Sequence, residues 1–480
     1  MKNHIAQTGK YQVAVEAADA APPQTRYAGV LTVEQVWQHF GVPDLLESAG
    51  IHYGASAEAA AEMSLMLTVQ PWVDAPSTRK VAQRFGGEPA PDDLEADPLL
   101  SRILSGRYDQ RTLSRFVNTS RYDWPAFNRA RVRHLQRQPG FAPHPKGVII
   151  VDDFPLPKPY AAAMEYLTSI WDNNLKHQVT GYAVVHVYYY HPHRSGYSLY
   201  VEPWLKTSRT GESEPRTARR AAQEGEERSK LDIALDALKQ VLPEVGTFEA
   251  AIFDSWYTAR WFCHELTQLG VAWIGEAGAN EKFQIGHRYL SVPEIFCHYR
   301  TRQRRVKGVK KGVRAVALQA IIKPDRYTHQ AQPVQLVLVT GLSKKRDRDK
   351  GYKLLVTNQL TWTTRHILRL FSCRPAIEQS HREGKQYAGW NDFHTRSLPA
   401  LQCHLAMCLL RTTLLSLLRR WVQPWNDYSS GEIIDHGIGQ TAILALDDLH
   451  RQLRILIPTT RPASALCSVL VVQCDSSLAC

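Results

Sequence analysis

No two of the eight cysteines stand as Cys-x2-Cys, so nothing in the spacing supports a zinc ribbon or a dithiol redox centre. Cys263, Cys297, Cys373, Cys403 and Cys408 are scattered through core-like segments, the usage expected of reduced thiols in a cytoplasmic protein. Met1 to Ala21 lacks the apolar core of a secretory signal, and no internal repeat is visible. Leu398 to Trp421 approaches membrane length, but His404, Arg411, Arg419 and Arg420 interrupt it, and a buried helix is expected there. Acid is in deficit as well: 58 Lys+Arg face 46 Asp+Glu, a formal charge of +12 that favours polyanionic partners. From Tyr299 to Arg314 the chain carries eight cations and no acid. Alone this would be a solvated edge; beside a metal site it would follow a phosphate backbone. A second basic cluster, Lys344, Lys345, Arg346 and Arg348, is softened by Asp347 and Asp349.

Against that background, the segment from Phe371 to Lys385 stands out. In a helix turning about 100° per residue, Glu378 and Lys385 lie within roughly 20° of one face, and Arg374 projects to nearly the same side. A carboxylate flanked by cations suited to phosphate suggests metal-dependent chemistry on a nucleic-acid backbone. A solvated helix face would carry the same charges, so the weight falls on two aspartates upstream. The β-branched run from Gly147 to Val151 ends in Asp152 and Asp153 and reads as a buried strand with acids at its carboxyl end. The run from Phe248 to Phe253 ends in Asp254, followed by a helical pattern from Trp256 to Leu269 and a strand from Val271 to Gly275. Ligands gather outside the carboxyl ends of strands in open α/β sheets, although Asp254 would also serve as a helix N-cap.

Between the two acids lie strand-like runs from Val179 to Tyr190 and from Ser198 to Glu202, a polar stretch from Lys206 to Ser229, and a helical pattern from Lys230 to Lys239. The order strand, strand, strand, helix, strand, helix, strand, then the Glu378 helix, matches an α/β protein with a ribonuclease H-like catalytic core. In that fold the first and fourth strands are parallel neighbours, and the two acids meet.

Phe371-x2-Arg374-x3-Glu378-x6-Lys385 resembles the Tyr-x2-Arg-x3-Glu-x6-Lys signature of DDE transposases of bacterial insertion sequences, with phenylalanine for tyrosine. Asp153, Lys158 to Tyr160, Trp171-Asp172 and Thr180 to Tyr182 are similar to the first-acid region of the same superfamily, except that Phe154 replaces the usual threonine. The resemblance covers roughly residues 100 to 420. It implies cut-and-paste transposition, with Asp153, Asp254 and Glu378 as catalytic acids and Asp152 as the alternative first acid. It further implies two Mg2+ ions, replaceable by Mn2+, held by those acids, because paired metals serve both ends of an in-line phosphoryl displacement. Arg374 and Lys385 would bind phosphates of the transposon end, helped by Arg304, Arg305, Lys310 and Lys311. Phe371 cannot donate the hydrogen bond available to the family tyrosine. The partners implied are double-stranded DNA, at inverted-repeat ends and at the target, and a second copy of the chain in the synaptic complex, with no membrane. A decayed or domesticated DNA-binding relative and a nuclease without strand transfer remain open.

The expected organisation is a helical end-binding domain at 1–145, the first part of the core at 146–280, a β-rich basic insertion at 281–360, the last core helices at 361–425 and a tail at 426–480. In the first of these, Thr32 to Trp37, Ala55 to Leu67 and Pro98 to Leu104 have helical spacing. Arg102 to Arg137 holds nine arginines interleaved with Leu104, Leu113, Phe116, Trp124, Phe127 and Leu135, a pattern of buried stripe and basic face.

Overall fold

A computed structural model describes residues 4–8, 11–15, 24–89, 96–161, 164–172, 176–205, 228–310, 312–324, 330–341, 351–393, 395–439 and 442–443. Lys311, the 344–348 basic cluster, most of the polar stretch (206–227) and the tail beyond 443 lie outside the described residues. The chain divides into two compact units, Val132–Ala162 with Tyr166–His381, and Met1–Arg131 with Ala163–Glu165 and Arg382–Cys480.

The first unit is mixed α/β. Its strands are β1 (Val148–Pro157), β2 (Thr168–Asp172), β3 (His177–His191), β4 (Arg194–Trp204), β5 (Ala250–Phe253), β6 (Trp273–Glu276), β7 (Lys282–Ile285), β8 (Arg288–Ser291), β9 (Arg304–Arg305), β10 (Arg314–Ile322), β11 (Gln332–Thr340) and β12 (Tyr352–Thr357). Its helices are α1 (Lys230–Val245), α2 (Arg260–Gln268), α3 (Val292–Tyr299), α4 (Thr364–Phe371) and α5 (Pro375–Tyr387), the last running into the second unit. All twelve strands belong to one sheet, in the order β8-β7-β10-β11-β12-β6-β5-β1-β3-β2, with β4 also on β3 and β9 also on β10. β5 pairs in parallel with both β1 and β6, and the remaining pairs are antiparallel. The first acid-bearing strand and the Asp254 strand are therefore parallel neighbours, as their order in the sequence led one to expect.

The centre of this sheet is buried on both faces, which explains why its strands read as continuous apolar runs rather than alternating ones. On one face Val148, Ile150, Ala250, Ile252, Ile274, Val337, Val339 and Leu355 pack under Ile367, Leu368, Leu370 and Phe371 of α4 and Ile377 of α5. Each of the larger side chains, Val, Leu, Ile and Phe, contributes about 1.5–3 kcal/mol by leaving water. On the other face lies α1, capped by a Ser229–Asp232 capping box and burying Ile233, Leu235, Leu238 and Val241.

The structure corrects several local readings. β1 runs on to Pro157 because the long strand β3 keeps pairing with it, so Asp152 and Asp153 are mid-strand; only the parallel pairing with β5 stops at Val151–Phe253. The second helix starts at Arg260, not Trp256, and its N-cap is Ala259 rather than Asp254. The signature segment is two helices, not one: α4 ends at Phe371 and α5 opens on Pro375, which fits an N-terminal position better than a helix interior. β2 was not foreseen, and Cys297 on α3 is exposed. Strands β7 to β12 fill the region read as a β-rich insertion, and β12 pairs antiparallel with β6, which makes it continuous with the central sheet.

In the second unit, helices at Val30–His39, Val42–Ser48, Ala57–Val69, Thr78–Arg84, Leu100–Ile103, Gln110–Val117 and the first part of Trp124–Gln136 group with Leu398–Trp421. The last of these is the one helix, among the described residues, apolar and long enough to cross a membrane, and 78% of its most apolar window is buried inside the protein, much of it against Ala57–Val69. Arg131, counted on sequence with the basic face, is instead fully buried and donates to Asn128 and Thr413.

Candidate active site

Strand parity decides which acids meet. Successive side chains of a strand point to opposite faces. Val148 and Ile150 of β1 and Ala250 and Ile252 of β5 face α4 and α5, and Asp152 and Asp254 continue those two rows. The two strands pair with constant register up to Val151–Phe253, so Asp152 and Asp254 are the next positions side by side.

Arg374 sits in the break between α4 and α5 and joins three acids. Its Nη2 donates to Asp152 Oδ2 at 3.1 Å and lies 3.8 Å from Asp254 Oδ2, while its Nη1 reaches Glu378 Oε1 at 2.5 Å. Asp152 is buried, Asp254 is partly buried and Glu378 is exposed. Asp254 Oδ1 also accepts from the backbone N–H groups of Trp256 at 2.9 Å and Tyr257 at 3.4 Å, which fixes the loop leading to α2.

Asp153 faces the other way. Its Oδ2 accepts from Lys230 Nζ of α1 at 2.7 Å, and its Oδ1 from the hydroxyl of fully buried Tyr257 at 3.4 Å. Sequence reasoning missed Lys230 and Tyr257. Tyr257 lies three residues past Asp254 and could have been asked about, whereas Lys230 is one lysine among many at the start of a helix.

The electrostatics are those of crowded acids. Burial pushes the Asp152 carboxyl up to about 7, against the pull of Arg374 and with a further push from Asp254 and Asp153. Burial likewise raises Asp254 despite Arg374. Burial and the same three aspartates drive the Tyr257 hydroxyl well above its ordinary value. For Arg374, burial works against the charge, but Asp152, Asp254 and Glu378 more than offset it, and its pKa is raised. On one face Asp152, Asp254 and Glu378 thus share the single guanidinium of Arg374, while on the other Asp153 is paired with Lys230. Three carboxylates offer the hard oxygen donors that a divalent cation takes, but as placed no group of three or more His, Cys, Asp or Glu side chains among the described residues is arranged to hold one.

The other sequence candidates lie elsewhere. Lys385 is on the last turn of α5, seven residues past Glu378, and falls within the second unit. Arg304 and Arg305 are exposed on β9, six strand steps from β1, a contour of roughly 29 Å at about 4.8 Å per step. Exposed Lys310 is in the turn between β9 and β10. These three lie along the sheet rather than at the acids. Phe371 is buried in the core with Lys353 Nζ 5.8 Å from its ring centre, and partly buried Trp362 packs on the same core.

The family model of the DDE superfamily endonucleases matches residues 97–338, half of the chain. The match takes in Asp152, Asp153 and Asp254 and ends before Arg374 and Glu378. A cryo-electron microscopy structure of a piggyBac transposase synaptic complex with hairpin DNA aligns at 11% identity and a TM-score of 0.35, over 92% of this chain and 78% of that one. A likeness that weak carries no weight for fold or function. No curated protein matches the sequence.

Proposed function

The chain belongs to the DDE superfamily endonucleases, and from that premise we propose that it is a cut-and-paste DNA transposase, cleaving DNA at transposon ends and transferring the strand to a target. The observation that carries the proposal is the single guanidinium of Arg374 contacting Asp152, Asp254 and Glu378, three acids from distant parts of the chain. A ribonuclease H-like core is supported by the central strand order β4-β3-β1-β5-β6 with only β3 reversed.

We assign the first-acid role to Asp152, which shares a face with Asp254 and Glu378, and treat Asp153 as the partner of Lys230. The three acids would hold Mg2+, with Mn2+ able to substitute. Such ions, when bound, supply activation of the attacking oxygen and stabilisation of the leaving one. The protein's own part is to fix the two aspartates on neighbouring strands, bring Glu378 to them on α5, and keep the site partly dry so that each charge acts strongly. Arg374 balances the acids in the free protein and, with Lys385, would contact phosphate when DNA is bound. Arg304, Arg305, Lys310 and Lys311 grip the duplex farther along. The proposal includes double-stranded DNA ends and target as partners, a homodimer pairing two ends, and a cytoplasmic, nucleoid-associated protein in a bacterium. Phe371, buried where the signature has tyrosine, favours one second reading, a DNA-binding relative that no longer transposes.

Nicking of element-end DNA with Mg2+ tests the assignment. Asp152→Asn, Asp254→Asn and Glu378→Gln should each lose nicking about a thousandfold or more while still binding DNA, and Asp153→Asn should stay within about tenfold of the parent. Nicking that survives Asp254→Asn or Glu378→Gln removes that residue from the site. Nicking lost in Asp153→Asn and kept in Asp152→Asn returns the first-acid role to Asp153.

A further inference from the structure

Behind Asp152 lies a buried polar chain that the proposed chemistry does not use. The cross-strand partner of Asp152 on β3 is His186, which is fully buried. Its Nδ1 lies 3.0 Å from Nε2 of His381 on α5, and its Nε2 lies 2.9 Å from the Ser198 hydroxyl on β4. His381 is 9% exposed, and Phe154 packs against both rings, tilted on His381 at 4.5 Å and edge-on to His186 at 6.1 Å between centroids.

Two neutral imidazoles bond only when one donates and the other accepts, so the pair shares one proton along its axis. The Ser198 hydroxyl completes the chain in either direction, because it donates to a bare His186 Nε2 or accepts from a protonated one. The contact is therefore satisfied whichever tautomer is present. Phe154, where the resembling superfamily has threonine, closes the pair off on one side.

Its placement on α5 gives it meaning. Arg374, Glu378 and His381 lie four and three residues apart, about one turn each, so α5 is tied to the sheet on both sides of the glutamate. One tie is Arg374 on Asp152; the other is His381 on His186, the residue paired with Asp152. We propose that His186 and His381 are positioning residues that set the glutamate helix on the sheet and so hold Glu378 where it completes a divalent-cation site with Asp152 and Asp254. This rests on the reading of those three acids as metal ligands.

The test compares two substitutions of like polarity and different reach. The contacting atom of His381 is Nε2, which the amide of glutamine reaches and that of asparagine does not. Binding of Mn2+ to the DNA-free, full-length protein is followed by electron paramagnetic resonance, with melting temperature alongside. His381→Gln should bind Mn2+ close to the parent. His381→Asn should bind about tenfold more weakly, the scale of losing a residue that orients a ligand, at a similar melting temperature. His186→Gln provides the same comparison from β3 should His381→Asn not fold, and should weaken Mn2+ binding with the fold retained. Parent-like Mn2+ affinity in His381→Asn, or equal losses of affinity in the Gln and Asn variants, overturns the positioning role. If the parent binds Mn2+ no better than Glu378→Gln, the metal reading falls and takes this inference with it.

Discussion

Buried Arg411 and partly buried Arg374 are satisfied in opposite ways. Arg411, in the Leu398–Trp421 helix, donates to the backbone carbonyls of Thr68 at 2.8 Å, Ala388 at 2.8 Å and Leu67 at 2.5 Å, and burial lowers its pKa. It also reaches Cys408 Sγ at 3.4 Å, so its hydrogen-bond partners are three backbone carbonyls and a thiol. Arg374 is matched by carboxylates, which raise its pKa, and its Nε is buried with no hydrogen-bond partner. A guanidinium among carbonyls has no charge to exchange for another cation, whereas one among carboxylates stands where the proposed divalent cation would bind. The first is a fastening and the second, on the proposed function, a counter-ion that would be exchanged.

The largest effect that would separate them is on stability. Arg411→Ala should cost about 3 kcal/mol or more, because three buried carbonyls lose their donor and a cavity opens, and Mg2+ should restore none of it in urea titrations. Arg374→Ala should cost roughly 2 kcal/mol in chelator, from uncompensated acids, and recover most of it with Mg2+. If Mg2+ rescues both or neither, the distinction fails.

The smallest effect concerns pH. The folded protein holds the Asp152 proton up to about pH 7, whereas the unfolded chain releases it in the ordinary carboxylate range. Stability from this group is full below about pH 4 and is lost as pH rises through about 7. Metal-free protein should therefore fall in stability between those limits by up to about 1.4 kcal/mol per pH unit relative to Asp152→Asn, in which the slope is absent. Equal slopes in the two proteins would place Asp152 in a wetter site than its burial indicates.

Much of this was legible in the sequence, and the parts that were not share a cause. The spacing of Arg374 and Glu378 is local and survives the break between α4 and α5, since Arg374 immediately precedes Pro375, where the helix of Glu378 opens. The pairing of the Asp152–Asp153 strand with the Asp254 strand followed from element order. The choice between Asp152 and Asp153 did not, because Val151-Asp152-Asp153 gives no parity: only the register against β5 says which carboxylate turns toward α5. Lys230, His186 and His381 were invisible for the same reason. Each is ordinary in its own segment and gains its role from a partner 77 or 195 residues away. Burial of Arg131 likewise needed Thr413, 282 residues on.

The antiparallel seam between β12 and β6 bears on how this architecture arose and how it can be dissected. Thr357, Val356 and Leu355 cover the backbone groups of Ile274, Gly275 and Glu276, so excising the strands from Lys282 to Thr357 would bare a row of unpaired amides and carbonyls beside Asp254. What looks in the text like a detachable module is the border that keeps the central sheet from pairing with strangers.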